Sequence, residues 1–410
     1  MKKLLALAAA ALLLTACAEA PENVKNNSGS GNAPVSENGG EIEYIPQSEL
    51  EADAQTALSR SYSNFSIADT VRVELPAEIV ACDFTVRSGF SERGREVLER
   101  FFGRETIEKV GLEYEPATPI ENGDYSRPAC WFFYSEEEKA YGSVHDNGFV
   151  AFIKPELFED SFDGGRNMGV YHIDRGGDFS DSFPLEGGGT TVQEAADFAG
   201  RWVDENYRDL EPDYELSVKT VMARQNTEGE YSFDIIVQKL YKGLPLDELL
   251  TVLENDEAGG PSESETYLKY VTQSLKLRMK KRGEIGAFTT GYGTLLPTDR
   301  GAPERLVSLT SAMGFLEHTF TDFNEPMTIN DINLKYTMTP EYDYRNRQPE
   351  DDCGVKWAGR LQWEFVIDID KGDYPYQEGN SDVGDVRKYI YIDAETGELE
   401  FEFDLNRLRQ

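Results

Sequence analysis

Two stretches of the chain, 190–295 and 303–404, pass through the same landmarks in the same order. That recurrence constrains the fold more than any other feature. In the first stretch, Thr190 or Thr191 followed by Gln193 or Glu194 reads as a capping box opening a helix. Val192, Ala195, Ala196, Ala199, Trp202 and Val203 then form one apolar stripe at helical spacing, and Pro212 closes the helix. Leu216, Val218 and Val221 suggest a strand. Tyr231, Phe233, Ile235 and Val237 alternate strictly, as a strand with one buried face does. Leu275, Leu277 and Met279 alternate again before a turn at Arg282-Gly283. In the second stretch Pro303 marks a helix start, with Leu306, Leu309, Met313, Leu316 and Phe320 on one stripe. Ile332, Leu334 and Tyr336 alternate, and so do Leu361, Trp363, Phe365 and Ile367. Lys242-Gly243-Leu244-Pro245-Leu246 is echoed by Lys371-Gly372-Asp373-Tyr374-Pro375-Tyr376, and 275–283 by 389–397. The expected fold class is α+β, built of repeated modules of one helix packed on an antiparallel β-sheet. Gly397 is expected at positive φ in the turn joining the last two strands.

The N-terminus reads as an address. Lys2 and Lys3 precede an apolar run from Leu4 to Leu14. That run is shorter than the about 20 residues a spanning helix needs, and it has the shape of a secretory signal. The following Leu14-Thr15-Ala16-Cys17 resembles the lipobox of bacterial lipoproteins, in which the Cys is lipidated after cleavage. The expected layout is a signal peptide at 1–16, a flexible Asn/Ser/Gly tether at 17–43, an N-terminal α+β domain at 44–186, and modules at 187–300 and 301–410. In the N-terminal domain Val71, Val73 and Leu75 alternate like a strand, and Ser91 is expected to cap a helix carrying Val97, Leu98, Phe101 and Phe102. No later apolar run reaches spanning length, so the mature chain is expected to be lipid-anchored on the extracytoplasmic face of the cell membrane.

Composition excludes more than it assigns. The 410 residues carry 76 acids against 40 bases, a formal charge of -36. That balance would repel phosphates and excludes a broad nucleic-acid footprint. Apolar residues at 39% and aromatics at 11% supply enough large side chains for a substantial core, which excludes wholesale disorder. Three histidines, His145, His172 and His318, leave a multi-histidine metal enzyme almost nothing to work with.

A family resemblance lies in the last two segments. Tyr391-Ile-Asp-Ala-Glu-Thr-Gly-Glu-Leu399 resembles the closing hairpin of PepSY domains. Tyr231-x-Phe233 followed by Tyr241-Lys242-Gly243-Leu244-Pro245 is similar to the pattern of PepSY-like propeptides and cell-wall kinase regulators. The whole chain resembles uncharacterised Gram-positive bacterial lipoproteins with PepSY-like repeat modules. The resemblance covers at best 190–404 and brings no catalytic residues. It implies a regulatory or binding role towards another envelope protein or peptide.

No residue pattern in the chain spells out catalytic chemistry. Cys82 and Cys130 lie in strand-like stretches and read either as a bridge or as two buried thiols, and Cys353 sits among acids that would raise a thiol pKa. His145-Asp146 and His172-x-Asp174 have the form of a base with an orienting carboxylate, but no Gly-x-Ser-x-Gly elbow accompanies them. Trp202 and Trp363 fall on apolar stripes and read as core. Asp368 to Asp373 lacks the frame of a Ca²⁺ loop and reads as a hairpin turn. No cofactor and no metal are expected, and Cys17 is the one site residue, for lipidation. The expected role is a non-enzymatic binding or regulatory lipoprotein. The alternative is an extracellular carbohydrate hydrolase using a carboxylate pair that the sequence does not locate.

Overall fold

The computed structural model describes residues 42–117, 128–158, 166–253, 266–290, 293–321, 327–340, 356–369 and 387–401. Strands are numbered along the chain. The first sheet runs, in spatial order, β8 (Arg166–His172), β11 (Glu215–Gln225), β12 (Tyr231–Tyr241), β15 (Ser274–Met279), β16 (Ala287–Thr289), β7 (Val150–Ile153), β6 (Ala140–His145), β5 (Cys130–Ser135) and β4 (Glu113–Glu115). Every pairing in it is antiparallel. The second sheet runs β14 (Thr266–Thr272), β13 (Leu244–Leu253), β19 (Met327–Pro340), β20 (Lys356–Ile369), β21 (Arg387–Asp393) and β22 (Leu399–Phe401). Beside it, β2 (Phe65–Ile67) lies parallel to the start of β19, and β3 (Ala81–Val86) meets the start of β20 and pairs with β17 (Leu295–Gly301). The short hairpin from β12 into β13 joins the two sheets. Two small ribbons remain: β1 (Tyr44–Pro46) with β18 (Arg305–Val307), and β9 (Ser182–Leu185) with β10 (Gly188–Thr191).

The helices are few and lie against these sheets: α1 (Leu50–Ser59), α2 (Gly94–Phe102), α3 (Arg104–Val110), α4 (Pro155–Phe158), α5 (Val192–Asn206) and α6 (Leu309–Thr319). Helix α5 forms where the sequence requires it. The Thr191 hydroxyl accepts from the Glu194 N–H while the Glu194 carboxylate accepts from the Thr191 N–H, closing the capping box. Its buried face, Val192, Ala195, Ala196, Ala199 and Val203, packs on β11 and β12. Small alanines there let the helix approach the sheet closely. Helix α6 packs on α1, and the fully buried Trp363 of β20 donates its ring N–H to the Val307 carbonyl at 2.9 Å. The inner faces of both sheets share one apolar core, in which Phe84 on β3, Tyr241 on β12 and Tyr336 on β19 meet edge to face or tilted.

The expected α+β fold of repeated helix-on-sheet modules is overturned. The chain is mostly β, and its long strands form one large connected network rather than separate modules. Strands from the N-terminal region enter both sheets: β7 pairs with β16, β8 with β11, and β3 with both β17 and β20. Alternation of apolar residues fixes which face of a strand is buried, but not which strand lies beside it.

Three local expectations are also corrected. Val71, Val73 and Leu75 lie in no strand, between β2 and β3. The residues after Pro303 do not open a helix: Arg305–Val307 pairs with Tyr44–Pro46, and the helix starts at Leu309 under a Ser308 cap. Ser91 does not cap α2. It sits in a preceding 3₁₀ turn, Phe90–Arg93, and donates its hydroxyl to Asp146 at 2.6 Å. The last hairpin forms as expected. Gly397 has φ +76° between β21 and β22, and Gly283 has φ +74° between β15 and β16.

Candidate functional site

Among the described residues, the large apolar side chains left in water concentrate at the ends of one sheet. Tyr114 is 49% exposed on β4, and Met168 and Val170 are 42% and 40% exposed on β8. These are the two terminal strands of the first sheet. Tyr114 rests on the Trp131 ring at 5.1 Å. Strand β8 pairs with β11 alone among the described residues, so its second edge carries backbone groups without a ladder partner. A bulge interrupts that pairing: Ala223 faces Gly169 while Arg224 faces Asn167, so Met168 is the extra residue. A bulge turns a side chain out of the ladder and leaves a shorter template beyond it, here Gly169–His172.

The strand is held from behind and at its end. The Tyr171 hydroxyl donates to Asp181 at 2.7 Å, and its ring meets Phe183 edge to face. Burial, together with Asp181, pushes the Tyr171 hydroxyl up to about 12, so it stays protonated and keeps donating. Past β8 the chain makes a 3₁₀ turn, Ile173–Arg175, and Arg175 pairs with Asp331 of β19 at 2.6 Å. This contact ties the end of the edge strand to the second sheet. The Asp174 carboxyl beside it is pushed up by desolvation and by Asp331, against Lys219 and Arg175. The residue as a whole is nevertheless exposed, and water screens the effect.

Two lysines are withdrawn from water completely. Lys239, at the end of β12 on the inner face, donates to Glu211 Oε1 at 2.8 Å. The same oxygen accepts from Tyr207 at 2.9 Å and from Thr294 at 2.5 Å, and the Tyr214 ring lies 5.9 Å from the ammonium. Lys335, in the middle of β19 on the opposite face from Leu334 and Tyr336, donates to Asp247 Oδ2 of β13 at 2.5 Å and to Glu364 Oε1 of β20 at 2.7 Å. Glu364 also accepts from Asn333 Nδ2 at 3.0 Å and from the Tyr391 hydroxyl at 3.2 Å. Asp247 Oδ1 is buried with no hydrogen-bond partner. Desolvation works against the Lys335 charge, but the two carboxylates outweigh it and hold its pKa above the usual lysine range.

The residues singled out from sequence do not converge. Cys17, Cys353 and the turn at 370–373 lie outside the described residues. Cys82 on β3 and Cys130 on β5 are both buried and not bridged to each other. Burial pushes the Cys82 thiol up to about 12, which makes it a poor nucleophile. Asp146 follows His145 at the end of β6. Its carboxylate accepts from the Gly89 and Ser91 N–H groups and the Ser91 hydroxyl, fixing the start of the helical segment. Trp202 stacks on Phe101, and Trp363 is fully buried, both as core. Lys280, Lys281 and Arg282 pair with Glu230, Glu284 and Glu194 around their turn.

The sequence reading missed Lys239, Glu211, Lys335, Asp247 and Glu364. Lys239 had a signal, since it continues the inward register of Phe233, Ile235 and Val237. A cavity of about 440 Å³ lined by Ile42, Glu43, Tyr44 and Arg305 brings in one carboxylate rather than a pair. No cluster of three or more His, Cys, Asp or Glu able to hold a metal occurs among the described residues. Among them, too, no helix is long and apolar enough to cross a membrane. No protein-family model, no curated protein and no solved structure matches the chain.

Proposed function

We propose that this protein is a lipid-anchored, extracytoplasmic binding module, attached through Cys17, that captures an extended segment of another envelope protein along β8. The observation that carries this reading is the pair Met168 and Val170, large and apolar, exposed on a strand that, among the described residues, is paired along one edge only. Such an edge offers main-chain hydrogen bonds for affinity and alternate side chains for selectivity. The Arg175–Asp331 ion pair and the Tyr171–Asp181 hydrogen bond hold the template in place before a partner arrives, which lowers the ordering cost of binding. Catalysis is not part of the proposal. The buried carboxylates Glu211, Asp247 and Glu364 are tied to lysines, Asp393 accepts from the Glu395 and Thr396 N–H groups, and the cavity beside Tyr44 holds a single carboxylate. The acidic surface serves solubility in a crowded envelope.

The test compares wild type with a Met168→Lys/Val170→Lys double variant. Each is incubated with envelope extract, and what co-purifies is identified by mass spectrometry. Amide exchange is followed across 166–172. A partner captured by wild type, lost in the variant and protecting Gly169–His172 from exchange supports the reading. An identical set captured by both proteins, with no protection of β8, overturns it.

A further inference from the structure

The cluster around Lys335 contains every group needed to make a covalent bond. The amine of Lys335 lies 2.5 Å from one oxygen of Asp247, and a second carboxylate, Glu364, lies 2.7 Å from the same nitrogen. All three residues are at most 3% exposed. They come from three neighbouring strands, β13, β19 and β20, so their relative positions are fixed by ladder hydrogen bonds rather than by flexible loops. From this geometry we infer that Lys335 and Asp247 condense to an intramolecular amide cross-link, with Glu364 moving the proton.

The step balances without any added reagent. The Lys335 ammonium passes a proton through Glu364 to the Asp247 carboxylate. The neutral amine attacks Asp247 Cγ and forms the N–C bond. One carboxyl oxygen leaves as water with the two protons lost from nitrogen. Glu364 ends the step in its starting protonation state. Asn333 and Tyr391 donate to Glu364 and hold it in place throughout.

Three physical features favour the reaction. The reactants are positioned by the fold, and effective molarities of about 10⁵–10⁸ M are reached by groups so held. The direct contacts of Lys335 Nζ with Asp247 and with Glu364 give the lysine proton a path to either carboxylate without a water between them. The product removes one positive and one negative charge and leaves Glu364 as the one formal charge, with Asn333 and Tyr391 still donating to it. The unpartnered Asp247 Oδ1 is an oxygen whose loss breaks no hydrogen bond. The amide would span 88 residues of chain and tie β13 to β19. For a protein held outside the cell, it would act as a clamp against unfolding and proteolysis.

Lys239 and Glu211 provide an internal control. They are as deeply buried and 2.8 Å apart, but no second carboxylate contacts the lysine to carry the proton.

The experiment is intact mass spectrometry of the full purified chain, with Glu364→Gln and Lys335→Arg variants alongside. Wild type is expected one water lighter than its sequence requires, and both variants at their sequence masses. If a variant does not fold, digestion of wild type still decides, because a peptide joining Asp247 to Lys335 is either found or not. Wild type at its unmodified mass, with Asp247 and Lys335 in separate linear peptides, overturns the proposal.

Discussion

Lys239 and Lys335 are both buried in long strands, and both face a carboxylate at hydrogen-bonding distance. Their surroundings differ in charge count. Glu211 meets one ammonium and two hydroxyl donors, so the cluster is formally neutral and behaves as a hydrogen-bonded plug between the inner face of β12 and the segment after α5. Lys335 meets two carboxylates, which leaves a formal negative charge in a place that water barely reaches. Burial alone therefore does not define the chemistry of a lysine. A second acid beside it turns an ion pair into a potential reaction centre.

The sharpest way to test that contrast is to remove each lysine. Breaking a buried ion pair costs about 3–5 kcal/mol, because the partner charge is left without compensation. Lys335→Ala removes the cross-link, strands two carboxylates and should fall at or above the top of that range. Lys239→Ala leaves Glu211 with its Tyr207 and Thr294 donors and should fall at the bottom. Denaturant unfolding of the two variants measures the difference, and a Lys335→Ala protein no less stable than Lys239→Ala breaks the comparison.

A second contrast separates the two turn glycines. Gly283 and Gly397 share a left-handed conformation, in which a side chain costs about 1–2 kcal/mol. A Cβ on Gly283 would meet nothing within 4 Å, whereas on Gly397 it would lie 2.6 Å from Ile42 Cδ1. Gly397→Ala should therefore lower the melting temperature more than Gly283→Ala. Equal shifts would mean that Ile42 moves aside without loss.

The smallest expected effect concerns pH. The Cys82 thiol, buried between β17 and β20, titrates at about 12 instead of its ordinary 9.0. The unfolded chain gives up this proton first. Its contribution to stability is full below pH 9.0 and is lost as pH rises towards about 12. Cys82→Ala should flatten the decline of unfolding free energy across that window, and an unchanged slope would assign the decline to other groups.

What the sequence disclosed and what it hid follow the same division between local and distant. The Thr191–Glu194 capping box, the α5 stripe and the positive φ of Gly397 are set by neighbours within a few residues, and all three formed. The α6 start was misplaced because Arg305–Val307 answers to Tyr44–Pro46, more than 250 residues away. The modular α+β reading failed for the same reason, since β3, β7 and β8 pair with strands far along the chain. Lys239 was legible as a charge in an inward register. Lys335 was not: it alternates with Leu334 and Tyr336 and so reads as solvent-facing, and only the burial of both faces of β19 removes it from water. Asp247 and Glu364 look like ordinary acids among 76 until parallel pairing of β13 with β19 brings them together.

The most direct measurement is peptide mapping by tandem mass spectrometry of one digest of the wild-type protein, searched for amide links at both buried lysines. The account predicts a cross-linked peptide joining Asp247 to Lys335, with Glu211 and Lys239 in ordinary linear peptides. Links at both lysines, or at neither, would contradict the claim that the second carboxylate sets Lys335 apart.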